Sequence, residues 1–168
     1  VTTIESILES ALRAHEHDDI ETAFDLYGRA LAAIPEYCHP ANKPGDGDFG
    51  RPTPLVNPGL LDAVIERLSY SADGPYSEDG LAIEMILRAG FLRLAGDPMA
   101  AIAIYREALK TTPVTSFSAL TLGLAYYDVY EFDDAVATLS DGVARFPHNA
   151  SLRNHLGGAG LPPLNGPV

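Results

Sequence analysis

Apolar positions along this chain recur with the period of a helix. Ile4, Ile7, Leu8, Ala11 and Leu12 fall at i, i+3 and i+4 spacing and predict a helix over 4–16. The polar run His15 to Asp19 then makes a turn. Asp18, with Glu21 three residues later, reads as the N-cap of a second helix. That helix carries Ile20, Ala23, Phe24, Tyr27, Ala30, Leu31 and Ile34 on one face and ends at Pro35. Asn57-Pro58 restarts helical structure, with Asn57 as N-cap, Pro58 at the first position, and a stripe of Leu60, Leu61, Val64, Ile65 and Leu68. After a turn at Ser71 to Tyr76, Ser77 caps a helix running to Ala95. Asp97-Pro98 opens the next, which Pro113 ends. Thr115 to Tyr130 and Glu131 to Phe146 form an antiparallel pair, and Asn149 to Leu156 one short helix more. The pattern is all-α.

One stretch breaks the rhythm. Between Glu36 and Asn57, four prolines (Pro40, Pro44, Pro52, Pro54) and three glycines (Gly45, Gly47, Gly50) forbid regular structure. A loop this long inside a compact chain is uncommon, and is functional or disordered when it occurs. Gly157 to Val168 is also rich in glycine and proline and reads as a tail.

The helices repeat at a fixed interval. Pro147 follows Pro113 by 34 residues, as Ala135 follows Ala101, Leu139 follows Tyr105 and Gly123 follows Ala89. Ala11, Ala23, Tyr27, Ala30 and Pro35 have the spacings of Ala89, Ala101, Tyr105, Ala108 and Pro113. Gly123 and Ala135 are small where two helices would cross closely, while Tyr126 and Leu139 are large where a gap must be filled. A helix-turn-helix period of this length and residue order resembles the tetratricopeptide repeat family. The likeness covers residues 4–35 and 82–147. It departs at the family's tryptophan, where Ile7, Met85 and Ala119 stand, and in Gly142 where the other copies have Ala30 and Ala108.

That resemblance implies one domain, a superhelix of antiparallel helix pairs with one long irregular insertion. Its repeats would cover about 4–35, a degenerate 36–78 in which the Pro/Gly segment replaces the first helix and residues 58–70 stand in for the second, then 79–113 and 115–147. A partial copy at 149–157 would be a solvating end cap or an interrupted repeat, with the tail at 158–168. The family presents a groove lined by first helices. Here the groove would comprise Glu5, Leu8, Leu12 and His15, then Ile83, Ile86, Gly90 and Arg93, then Phe117, Leu120, Leu124 and Tyr127. Its members of the carboxylate-clamp kind use lysine, arginine and asparagine at these positions. Only Arg93 matches, which disfavours capture of chaperone tails. An apolar groove instead suits a peptide or amphipathic helix. Cover by the chain itself has equal weight.

Charge narrows the partners. The 168 residues carry a formal charge of −12. Nucleic acid and anionic membranes need a basic face, so neither is an expected partner. The first ten residues show no basic n-region and no long apolar run, so no signal peptide or membrane-inserted segment is expected there. The single cysteine, Cys38, excludes an internal disulfide and makes a reducing, cytoplasmic setting the default.

Candidate chemistry is sparse. His15 and His17 lack the i, i+4 spacing that puts two ligands on one helical face. Cys38-His39 with Asp46 and Asp48 lacks the second cysteine of a zinc set and the closing glutamate of a calcium loop. The acidic run Asp128, Glu131, Asp133 and Asp134 suits the positive end of a helix, or a docking patch for a basic partner. The expectation is a protein-binding scaffold or adaptor without catalysis, cofactor or metal. The alternatives are a metal-binding or enzymatic subunit using the 36–57 insertion, and a self-associating structural subunit forming a homo-oligomer.

Overall fold

A computed structural model describes residues 3–34, 56–69 and 78–158. Among these, every regular element is an α-helix: α1 (Ile4–Glu16), α2 (Ile20–Ala33), α3 (Pro58–Ser69), α4 (Glu78–Leu94), α5 (Pro98–Ala108), α6 (Ser116–Asp128), α7 (Phe132–Arg145) and α8 (Ala150–Gly158). The expected insertion, apart from Val56 and Asn57, lies outside the described residues, as do Cys38, His39, Asp46, Asp48, Ser77 and the tail beyond Gly158.

The starts follow the expected chemistry with one shift. Asn57 accepts from the amides of Gly59 and Leu60 at 2.8 and 3.4 Å. Asp97 accepts from Ala100 N at 3.1 Å, and Thr115 and Ser118 form a reciprocal capping box. The cap of α2 is Asp19 rather than Asp18: its carboxylate accepts from Thr22 N at 3.3 Å. Asp18 is committed to the turn, with φ at 59°. Helix α5 stops short of Pro113. The Thr112 amide and the Thr111 hydroxyl both bond the Ala108 carbonyl at 3.2 Å and close the last turn early.

The repeat is visible in the turns. Asp18, Gly96 and Tyr130 hold left-handed φ values of 59°, 92° and 64°. They stand at equivalent positions of the three helix pairs, 78 and then 34 residues apart. At each turn the following amide reaches back six residues inclusive: Asp19 to Ala14, Asp97 to Leu92 and Glu131 to Tyr126, at 2.9, 3.0 and 3.0 Å. The amides of Asp18, Gly96 and Tyr130 bond His15, Arg93 and Tyr127 at 3.2, 3.1 and 3.1 Å. This is the Schellman closure three times over, with the left-handed residue at C′.

Packing follows the pairs. α1 lies against α2, α4 against α5 and α6 against α7; α2 then touches α4, α5 touches α6, and α7 touches α8. Buried side chains form three successive clusters, in α1 to α4, in α4 to α6, and in α6 to α8. Ala101 and Ala135 are fully buried, as their small size at a crossing requires. This is a repeat-like all-α arrangement.

α3 departs from the expected second-helix role. It packs on α1 and α4. At its start, Asn57 N donates to Glu5 Oε1 at 2.9 Å; near its end, Arg67 Nη2 donates to the His15 carbonyl at 3.0 Å. Both bonds span 52 residues, so α3 runs parallel to α1 and in register with it. A second helix would run antiparallel to its neighbouring first helix. Leu61, Val64 and Leu68 of α3 bury against Leu8, Ala11, Tyr27, Leu87 and Phe91 of the first cluster.

No described helix is long and apolar enough to cross a membrane.

Candidate functional site

A cleft of about 350 Å³ opens between α2, α4, α6 and α8. The last turn of α2 gives Leu31 and Ala32, with Ile34 just beyond. α4 gives Gly90, Arg93 and Leu94, and α6 gives Ser116, Phe117, Leu120, Thr121 and Leu124. Asn149 and Ser151 stand at the start of α8. On α6, residues 117, 120, 121 and 124 share one face by their i, i+3, i+4, i+7 spacing.

Gly90 sets the width. A Cβ there would lie 3.1 Å from Leu31 Cδ1 and 3.5 Å from Tyr105 Oη. Beneath it the Tyr105 ring is fully buried, and burial pushes its hydroxyl well above the ordinary phenol range.

The polar groups of the cleft are largely engaged. Thr121 Oγ1 donates to the Phe117 carbonyl at 2.8 Å. Asn149 Oδ1 accepts from Leu152 N at 3.0 Å and caps α8. Arg93 Nε lies 2.7 Å from Asp128 Oδ2, with both side chains more than nine-tenths buried. That contact is Coulombic and off the donor axis. The directional bond runs from Nη2 to Oδ1 at 3.3 Å. The arginine therefore presents an ion pair to the cleft, not a lone cation.

The expected groove residues divide. Arg93, Phe117, Leu120 and Leu124 line the cleft, with Gly90. Leu8 and Ile86 are core residues, and Leu12 packs against the first cluster. Ile83 is 47% exposed and does not line the cleft. Tyr127 meets Phe132 at the other end of α6.

His15 is only 1% exposed, enclosed by Phe24, by Tyr27 and by α3. Tyr27 Oη lies 3.3 Å from its Nδ1. Burial lowers the pKa of the imidazole below its ordinary value; the Arg67 guanidinium lowers it further, and Asp18 opposes. Burial also raises the Tyr27 hydroxyl. Leu8 and His15 of the expected groove are thus interior and Leu12 is half-buried, because α3 packs along α1, while Glu5 stays exposed.

Leu31, Ala32, Ile34, Leu94, Ser116, Thr121, Asn149 and Ser151 were not expected in the cleft. Thr121 could have been found from its helical spacing to Phe117 and Leu124. Leu31 could not, because it shares the apolar face that builds the core of its own pair.

Among the described residues, no three His, Cys, Asp or Glu side chains gather as metal ligands. Compared with family models, with curated proteins and with solved structures, the chain finds no match.

Proposed function

We propose that this chain is a tetratricopeptide-like adaptor that holds a short apolar segment of another protein in the α2–α4–α6–α8 cleft. The observation that carries the reading is the cleft itself. Four helices leave a concave space among Leu31, Leu94, Phe117, Leu120 and Leu124. Its size is at the small end of ligand sites, fitting a few anchoring side chains. The described lining residues include no carboxylate, histidine or cysteine. That supports binding over catalysis, since the lining offers no general base to activate its Ser116, Thr121 and Ser151 hydroxyls. The residue order of the pairs and the threefold recurrence of one turn geometry support the family likeness.

Phe117 is the expected anchor contact, since aromatic residues dominate binding hot spots. The test selects dodecapeptides from a displayed random library on the wild-type protein, then titrates each by fluorescence anisotropy. Selected peptides should carry apolar residues at helical spacing. Phe117→Ala should weaken them by ~2 kcal/mol, and Ser151→Trp should block them by filling the cleft. Circular dichroism checks the fold of each variant. Peptides that bind folded Phe117→Ala and Ser151→Trp as well as wild type would move the site elsewhere.

A further inference from the structure

At the α6–α7 turn three aromatic rings stand together at the surface. Phe132 is the middle one. Its ring centroid lies 5.4 Å from that of Tyr127 and 6.0 Å from that of Tyr130, both edge-to-face. Tyr130 is 54% exposed and Phe132 40%. The other two helix pairs carry no aromatic ring at these two places. The equivalent positions in the other two pairs hold Asp18 and Gly96 for Tyr130, and Ile20 and Pro98 for Phe132. Tyr130 also holds φ at 64°, a conformation that side chains rarely adopt and that Gly96 meets freely.

The charges around the rings have one sign. Glu131, Asp133 and Asp134 are all exposed. Glu131 occupies the N-cap position of α7 yet makes no side-chain cap bond, whereas Asp19 and Asp97 cap their helices from the same position. Exposed ring faces attract cations through their quadrupole, and adjacent carboxylates strengthen that attraction.

We propose that the Tyr127–Tyr130–Phe132 shelf, rimmed by Glu131, Asp133 and Asp134, docks an arginine- or lysine-bearing peptide segment of a partner protein. The shelf is separate from the apolar cleft and selects for the opposite chemistry: a cation laid on an aromatic face. A partner with a basic stretch beside an apolar one could use both.

The test measures anisotropy of a fluorescein-labelled octapeptide of alternating arginine and glycine, titrated with the full chain at low salt. Wild type should bind it, and the glutamate-for-arginine peptide should not bind. Phe132→Leu keeps apolar bulk but removes the ring, and should weaken binding at least fivefold. Tyr130→Gly should weaken binding while raising the thermal midpoint, a combination that a purely structural role for the tyrosine does not give. Because any acidic protein attracts a basic peptide, the double change Asp133→Asn with Asp134→Asn is set against Asp62→Asn with Glu66→Gln on α3. The first pair should weaken binding at least threefold more than the second. Equal losses from both pairs, or unchanged binding to Phe132→Leu, would reduce the effect to net charge and overturn the proposal. So would no binding by wild type.

Discussion

Arg93 and Asp128 form a buried ion pair between the ends of two successive first helices, with Nε and Oδ2 2.7 Å apart. Taking both charges out of water is expensive, and their attraction offsets that cost only while both are present. Asp128→Ala should therefore destabilise the fold by ~3–5 kcal/mol, since it strands a buried guanidinium. The double change Arg93→Met with Asp128→Leu should recover most of that loss. Urea midpoints of the three proteins check it. A double variant no more stable than Asp128→Ala would mean that packing, not the stranded charge, sets the cost.

Close approach of α6 and α7 rests on a glycine. A Cβ on Gly123 would lie 2.7 Å from both Cγ and Cδ2 of Leu139, which is fully buried and has nowhere to retreat. Gly123→Ala should cost ~1–3 kcal/mol by overpacking, and adding Leu139→Val should return part of it. Gly28 is the internal control: it sits inside α2 with nothing within 4 Å of a built Cβ. Gly28→Ala should stabilise by up to ~1 kcal/mol through helix propensity. Thermal melts of both variants moving in the same direction would contradict the crossing geometry.

The glycines also mark what could be read without coordinates. Gly123 is legible because a small residue recurs at that repeat position. Gly142 reads as a departure from Ala30 and Ala108; its reason needs the fold, since a Cβ there would lie 3.0 Å from Ala119 Cβ and 3.1 Å from Leu152 Cδ2. Helix boundaries came from caps and prolines, which act locally. The place of α3 did not. An apolar stripe such as Leu61, Val64 and Leu68 says that a helix face is buried, not which neighbour buries it or in which direction it runs. Leu8 and Ile86 share the helical pattern of the cleft residues for the same reason. The Arg93–Asp128 pair spans 35 residues and leaves no local trace.

Acid should loosen the α1–α3 contact through His15. Its folded pKa is lowered by burial and then by Arg67, so between that value and the ordinary 6.5 the unfolded chain binds a proton that the folded chain refuses. Stability from this site is complete above the unfolded value and is lost as pH falls below it, at up to ~1.4 kcal/mol per pH unit. His15→Gln removes the titration. Comparing urea midpoints at pH 7.5 and 5.5, wild type should lose more stability than His15→Gln. Equal losses would assign the acid sensitivity to carboxylates instead.

The three turns give the sharpest test of the repeat itself, because one backbone conformation is built from three different residues. Asp18, Gly96 and Tyr130 share the left-handed C′ position. A side chain there costs free energy that glycine does not, and Gly96 is the one residue of the three with no such cost. Asp18→Gly should stabilise the fold by ~0.5–1 kcal/mol: its own carboxylate makes no cap bond, since Asp19 caps α2, and the strain is relieved. Gly96→Ala should destabilise by ~1 kcal/mol or more, although nothing lies within 4 Å of the added Cβ. Contacts alone predict no effect for Gly96→Ala, so its sign isolates the backbone term. Opposite signs for Asp18→Gly and Gly96→Ala in denaturant titrations are the expected outcome. Matching signs would mean that the two turns are not the same structure, and the 34-residue phase would then rest on side-chain order alone.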